Sequence, residues 1–444
     1  NSTQTKAEKP ELNVIDNSWN AFVRSTSTPT EDATHRVVVG SVFGGGNGDY
    51  DYVSTADSPE AGQTTHYVYP AGSDHATATP LATKVTTTGE AGFTAPTLAK
   101  TYLELLGGCL AHIYGGGNSA TVTDATTICL NNPGASMQEV LPAKDEGETD
   151  AAYQARLLAD FFDLARFVDL STFQGNYSSL DYNAARVFGG NNKVPMAIRP
   201  VWNLQRGKIR DLYSGGNEGN MTYPHGLLLD ISPQTAYNNS LIIYNVYGGC
   251  RRADVHPIDP ETGTTPATIR TEDEDLGYKI PAGLSACVVV NGGHITNVYG
   301  GNDISGRVYG GNAIGIHTTI YGDVYGGGNG SYSYTDNADL GALTAYKDYY
   351  YHPDSVRAKE RRYYDSSFDY SSSDASVKSV EALNLFRPNA EQVSIRLGGV
   401  SAANPTYIKG AVYLGGNSAT LKTAATTVNA DPMVELKIGS HVYC

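Results

Sequence analysis

Charge is scarce in this chain. Only 17% of its 444 residues are Asp, Glu, Lys or Arg, which is low for a cytosolic globular protein. What charge there is leans acidic, with 46 acidic against 31 basic residues and a formal net charge of −15. A field of that sign repels phosphate backbones, so no nucleic acid partner is expected. It also disfavours docking on anionic lipid heads. Long apolar runs are missing too. Nothing approaches the roughly 18 residues of a membrane span, and runs such as Leu241-Ile242-Ile243 are strand-sized. Cysteine is sparse: Cys109, Cys129, Cys250, Cys287 and Cys444 are odd in number and show no C-x-x-C spacing. Neither a metal site nor a disulfide framework is expected. Cys109, Cys129 and Cys287 stand in apolar, strand-like runs and are expected to be buried free thiols. An initiating Met and a signal peptide are also missing, as in a processed, mature chain. Residues 1–33 read as a polar N-terminal tether, to which a lipid anchor before Asn1 could be joined.

Glycine (49) and tyrosine (31) are abundant instead, and Thr, Ser and Asn fill the places that Lys and Glu usually hold. That is the composition of short strands joined by tight turns. A motif recurs: an aliphatic residue, an aromatic, a glycine cluster, then asparagine. Two copies are Val42-Phe43-Gly44-Gly45-Gly46-Asn47 and Ile113-Tyr114-Gly115-Gly116-Gly117-Asn118. Others begin at Val187, Leu212, Val246, Val298, Val308, Val324 and Val412, and the copy at Val246 has Cys250 where asparagine is expected. Gly116-Gly117-Asn118-Ser119-Ala120-Thr121-Val122 matches Gly415 to Leu421 at six of seven positions, so both ends of the chain use one unit.

These features predict an all-β fold, a parallel β-helix (β-solenoid) of about 25-residue coils, the separation of Val187 from Leu212. The glycines are expected to turn the backbone with positive φ and to let adjacent coils approach closely. Asn47, Asn118, Asn191, Asn217, Asn302, Asn312, Asn329 and Asn417 are expected to form a structural turn ladder at about 4.8 Å spacing. The copy at Val308 follows Val298 too closely for a full coil and reads as a second corner of the same turn. A β-prism or hairpin array is the alternative. Residues 34–444 form a single solenoid in this reading, with insertions at about 49–106, 131–184, 251–284 and 331–392. The first insertion, rich in Thr, Ala and Gly, reads as irregular. The second holds one short helix near 150–170, with Thr149-Asp150 as cap and Tyr153, Leu157, Phe161, Leu164 and Val168 at helical spacing. It packs over a solenoid face or end, or binds a partner. The fourth is rich in Tyr and locally basic. Tyr349, Tyr350, Tyr351, Tyr363, Tyr364, Arg361 and Arg362 are its candidate ligand-binding residues, unless the rings pack the loop against the solenoid.

With these residues in view, the chain resembles the large V-Y-G-G-G-N repeat surface proteins of Bacteroidales and, more loosely, the pectin-lyase-like parallel β-helix superfamily. The resemblance covers the motif and not the insertions. It implies an exported protein of the outer cell surface, and it supplies no catalytic residue. In that setting Asp354-Ser355-Val356 is similar to a short O-glycosylation signal. The ending Ile438-Gly439-Ser440-His441-Val442-Tyr443-Cys444 looks like the start of another turn, cut short or serving as a cap.

No chemistry declares itself. Aligned on the motif asparagine, Asp49, Asp124, Asp303 and Asp336 fall at different offsets. The paired carboxylates of glycoside hydrolysis are therefore not set in a row. The glycine clusters lack the context and the Lys-Ser/Thr of a P-loop. His35, His112, His294 and His441 precede turns, which suits a structural role. No catalytic residue, metal or cofactor is assigned. The expectation is a non-enzymatic, cell-surface structural or adhesion protein that binds a glycan or a surface protein. Its alternatives are an accessory lipoprotein of a TonB-dependent outer-membrane uptake complex, and a polysaccharide lyase or glycoside hydrolase. End-to-end self-association through open solenoid ends is a further expectation.

Overall fold

A computed structural model describes residues 11–14, 38–55, 62–107, 109–131, 146–149, 152, 184–238, 240–264, 283–331, 333–336, 349–352, 387–398, 406–421, 426–430, 436–438 and 441–443. Their regular structure is nearly all β, and most strands pair in parallel. The motif strands form the spine of the largest sheet, which has twelve strands. Val38–Phe43, Cys109–Tyr114, Ala184–Phe188, Val201–Tyr213, Leu241–Tyr247, His294–Tyr299, Val324–Tyr325, Val412–Tyr413 and Val442–Tyr443 each lie parallel to the next. The register sets every motif aromatic opposite the next, from Phe43 on Tyr114 to Tyr413 on Tyr443. The long strand Val201–Tyr213 also pairs through its first half with Thr121–Asn131, which pairs with Thr97–Leu105. Within the stretch expected to be a tether, Glu11–Val14 is instead a strand beside Thr97–Leu105.

A second parallel sheet runs Leu227–Ile231, Ala286–Val290, Asn312–Ile316, Val393–Leu397 and Thr426–Ala430. A third is narrower: Arg307–Val308, Asn389–Ala390 and Thr420–Leu421. Parallel bridges from Met196 through Met221 and Val255 to Val308 extend it. The Val308 copy of the motif therefore lies in a different sheet from the other copies.

The aliphatic residue before each ring explains how the sheets meet. Ile113, Val187, Leu212, Val246, Val298, Val324 and Val412 turn inward and share one buried cluster with Val288, Val290, Ile314, Ile316, Ile395 and Leu397 of the second sheet. Each such side chain contributes roughly 1.5–3 kcal/mol on full burial. The glycine after the ring leaves no room for a side chain between the next copy and the second sheet. A Cβ on Gly300 would stand 2.3 Å from the Gly326 carbonyl oxygen and 3.2 Å from Ile314 Cδ1.

Close approach, not positive φ, is therefore what these glycines supply. The described glycines with positive φ include none of those following the ring in the copies of the large sheet. In the Val308 copy, by contrast, Gly310 and Gly311 have φ of 77° and 113°, and there the expectation of a sharp turn holds.

The first insertion departs from its expected irregularity. Tyr50–Thr55, Gln63–Pro70 and Ala82–Thr87 form a three-stranded antiparallel sheet, and Thr97–Leu105 joins the large parallel sheet. The expected helix near 150–170 lies outside the described residues except for Ala152, whose N–H donates to Thr149 Oγ1 (3.2 Å). Among the described residues, no helix is long and apolar enough to cross a membrane. Cys129, Cys250 and Cys287 are buried free thiols, and burial pushes the Cys250 thiol up to about 12. The side chain of Cys109 is outside the described set.

Candidate interaction surfaces

The in-register motif builds three columns of side chains. The first is aromatic. Phe43, Tyr114, Phe188, Tyr213, Tyr247, Tyr299, Tyr325 and Tyr413 stack with centroids 4.7–4.9 Å apart and planes within 12°, which is the spacing of paired strands. Burial pushes the phenols up: Tyr114 to about 12, and Tyr213 and Tyr299 well above the ordinary range.

The second column stands four residues after the ring. Asn118 Nδ2 donates to Asn47 Oδ1 (2.8 Å), Asn192 Nδ2 to Asn118 Oδ1 (2.7 Å) and Asn217 Nδ2 to Asn192 Oδ1 (2.8 Å). Arg251 and Arg252 then donate to Asn217 Oδ1, both at 3.2 Å. Further on, Asn329 Nδ2 donates to Asp303 Oδ1 (2.9 Å) and Asn417 Nδ2 to Asn329 Oδ1 (3.1 Å). Asp303 Oδ2 also accepts from the buried Tyr213 hydroxyl at 2.7 Å.

Three of the expected ladder residues are elsewhere. Asn191 and Asn302 stand one place earlier, because two residues separate them from the ring where Asn47, Asn118, Asn217, Asn329 and Asn417 have three. Asn191 Oδ1 accepts from Gly117 N (2.8 Å), and its Nδ2 donates to Pro195 O (3.0 Å). Asn302 repeats this with Cys250 N (2.7 Å) and Ala253 O (3.0 Å). Asn312 opens a strand of the second sheet, and its Nδ2 donates to Gly326 O at 3.1 Å. Asn192, Arg251 and Asp303, which sequence reasoning missed, take the ladder positions. Counting from the aromatic rather than from the asparagine would have found them.

The third column lies two residues before the ring. Arg186 Nη1 bonds His112 Nε2 (3.1 Å), and Arg186 pairs with Asp211 (3.6 Å). Asn245 Nδ2 donates to Asp211 Oδ1 (2.9 Å) and Asn297 Nδ2 to Asn245 Oδ1 (3.1 Å). Asp323 Oδ2 accepts from the Tyr325 hydroxyl at 3.1 Å.

Outside these columns, the outer face of the third sheet gathers five titratable groups from three neighbouring strand segments. The His256 ring stacks on Tyr309 (3.9 Å, 14°), and the Arg307 guanidinium lies 4.2 Å from the Tyr309 centroid. Arg307 pairs with Glu391, which also accepts from Gly310 N (2.7 Å). Asp254 Oδ1 accepts from Arg307 N at 2.7 Å. Burial raises the Asp254 carboxyl and lowers the His256 imidazole. Among the described residues, no group of three or more His, Cys, Asp or Glu is placed to hold a metal ion.

Of the candidate ligand-binding residues, Tyr349, Tyr350 and Tyr351 lie in the strand Tyr349–His352, antiparallel to Ser333–Asp336. Their side chains, and Arg361, Arg362, Tyr363 and Tyr364 altogether, lie outside the described residues.

Compared with known proteins, the chain matches no family model, no curated protein and no solved structure.

Proposed function

We propose that the parallel sheets are the faces of one β-solenoid, and that this solenoid is a non-enzymatic scaffold of the outer cell surface. It presents its insertions to a glycan or a surface protein. The observation that carries the reading is how the motif spends its side chains. The rings stack on rings and the amides bond amides from one copy to the next, so the repeated residues serve the stack and recognition falls to the insertions. Solenoids of this kind are built to present extended surfaces. The motif's likeness to V-Y-G-G-G-N surface proteins supports an exported setting, free or beside a TonB-dependent transporter. The Tyr- and Arg-rich insertion at 331–392 is the binding element in this reading.

The test is retention and turnover on plant, microbial and mucin glycans, with the intact chain beside one lacking residues 331–392. Binding without new chain ends, lost on deletion, is the expected result. Equal binding by both forms would move the site to another insertion.

Polysaccharide cleavage is a second reading, and one observation favours it. Asp254, its carboxyl raised by burial, accepts from Arg307 N, and the Arg307 side chain pairs with Glu391; two carboxyl groups in unlike environments are what glycoside hydrolysis uses. New reducing or unsaturated ends, abolished by Asp254→Asn, would establish this reading in place of the first.

A further inference from the structure

The turn after each ring is tied to the preceding turn by a regular series of backbone bonds. The N–H five residues after a ring donates to the carbonyl four residues after the ring before it. Ser119 N bonds Asn47 O (2.6 Å), Lys193 N bonds Asn118 O (2.9 Å) and Glu218 N bonds Asn192 O (2.7 Å). The series runs on to Gly330 N on Asp303 O (2.8 Å) and Ser418 N on Asn329 O (2.6 Å). Gly48 holds this place in the first copy. Among the described residues no earlier copy offers it a carbonyl, and its N–H makes no hydrogen bond there.

The residue before Gly48 is Asn47. In an Asn-Gly pair the backbone nitrogen readily attacks the preceding carboxamide, because glycine has no side chain to hinder an approach within one dipeptide. The chain has three such pairs: Asn47-Gly48, Asn291-Gly292 and Asn329-Gly330. The fold treats them differently.

At Asn47 every participant is free to react. The Gly48 nitrogen is held by no acceptor among the described residues. The Asn47 side chain is exposed, and its Oδ1 accepts from Asn118 Nδ2 (2.8 Å). That donor stands where negative charge develops when the carbonyl is attacked. The Asn47 Nδ2, the leaving group, has no hydrogen-bond partner among the described residues. Gly48 itself is buried, but the attack is internal. Ammonia leaves and water enters at the exposed carboxamide.

At Asn329 the same reaction is opposed twice by Asp303. The Asp303 carbonyl oxygen accepts from Gly330 N (2.8 Å), and its Oδ1 accepts from Asn329 Nδ2 (2.9 Å). Asn329 is also buried. Asn291 is intermediate: it is exposed, but its Nδ2 donates to Ser232 Oγ (2.8 Å) and Asp230 Oδ1 (3.3 Å).

We propose that Asn47 is a self-modification site, deamidated by the protein's own backbone while Asn329 is preserved. The Gly48 nitrogen bonds to Asn47 Cγ, the Cγ–Nδ2 bond breaks, and ammonia leaves with the Gly48 proton. Water then opens the five-membered imide at either carbonyl, giving aspartate or isoaspartate. No oxidant, cofactor or second protein takes part. Either product puts a carboxylate on the first rung of the amide column, two residues from Asp49, which already holds Lys193. Isoaspartate also lengthens the main chain by one carbon beside the carbonyl that receives Ser119 N. The proposal is independent of what the insertions bind.

The experiment ages the full chain in mildly alkaline buffer at body temperature. Peptide mapping by mass spectrometry follows the conversion of amide to acid at each Asn-Gly pair, and chromatography separates aspartate from isoaspartate. A portion kept unfolded in guanidinium chloride gives the rate of each site without the fold, and there the three should convert alike. In the folded chain Asn47 should stay near its unfolded rate. Asn329 should fall about tenfold or more below its own, the effect of hydrogen bonds that must break before attack. Asn291 should lie between them. Asn47→Gln should leave position 47 unconverted and the other two rates as in the parent. Folded-state conversion led by Asn291 or Asn329, or shared evenly by the three sites, overturns the proposal. So does an Asn47 slowed by folding as much as Asn329.

Discussion

Asn302 and Asn417 both follow a glycine cluster, yet they differ in what they hold. Asn302 is buried, satisfying Cys250 N and Ala253 O together. Asn417 is exposed, with its amide on Asn329. Asn302→Ala should cost about 1–3 kcal/mol, the penalty for stranding buried backbone groups. Asn417→Ala should stay within about 0.5 kcal/mol. Urea unfolding midpoints read the difference. Aligning the copies on the asparagine hides this difference, because both residues then look like one motif position. Only the distance from the ring, three residues for Asn302 and four for Asn417, separates them. His294 gives a second prediction. Burial lowers its imidazole from 6.5 to about 4, so folding favours the neutral ring. Its contribution is complete above the unfolded value and is lost as pH falls through that window, by about 3 kcal/mol near pH 4. His294 stacks on Tyr321 (4.6 Å, 12°). His294→Phe keeps a ring there and should flatten the fall in stability between pH 6.5 and 4, followed by urea midpoints across that range.

The motif strand works as an element because its three consecutive positions have three different jobs. The aliphatic residue enters the core, the ring joins the stack, and the glycine lets the next copy and the opposite sheet close in. Gly300→Ala places a Cβ against backbone on one side and Ile314 on the other. It should destabilise by roughly 1–3 kcal/mol, measured by chemical denaturation. The presence of these strands was plain in the sequence, since the aliphatic–aromatic pair before glycine is unmistakable. The strands of the first insertion were harder to see. Thr64-Thr65-His66-Tyr67-Val68-Tyr69 is a good strand by β-branched and aromatic content. It is flanked by Gly, Ala and Pro, and an antiparallel sheet of its own breaks the period on which the reading relied.

At the scale of the molecule, most sequence-distant contacts run between neighbouring copies, so stability should vary along the array. Amides of Leu241–Tyr247, paired in parallel on both sides, are expected to exchange more slowly than those of Val442–Tyr443, which pair with Val412–Tyr413. Hydrogen exchange read by mass spectrometry checks the order. An all-β chain with parallel sheets was legible from the repeat, whose constant order of aliphatic, aromatic and glycine has only one pairing that keeps every core residue inside. The short step between Val298 and Val308 set the Val308 copy apart as a second corner, and that it pairs in another sheet came from the structure. What each insertion does was not, because none of them repeats. The aromatic column has an optical consequence. Rings 4.7–4.9 Å apart with nearly parallel planes are close enough for their electronic transitions to mix. The unbroken run Tyr213, Tyr247, Tyr299, Tyr325 and Tyr413 is then expected to contribute to the near-ultraviolet dichroism as one coupled row rather than as five separate phenols.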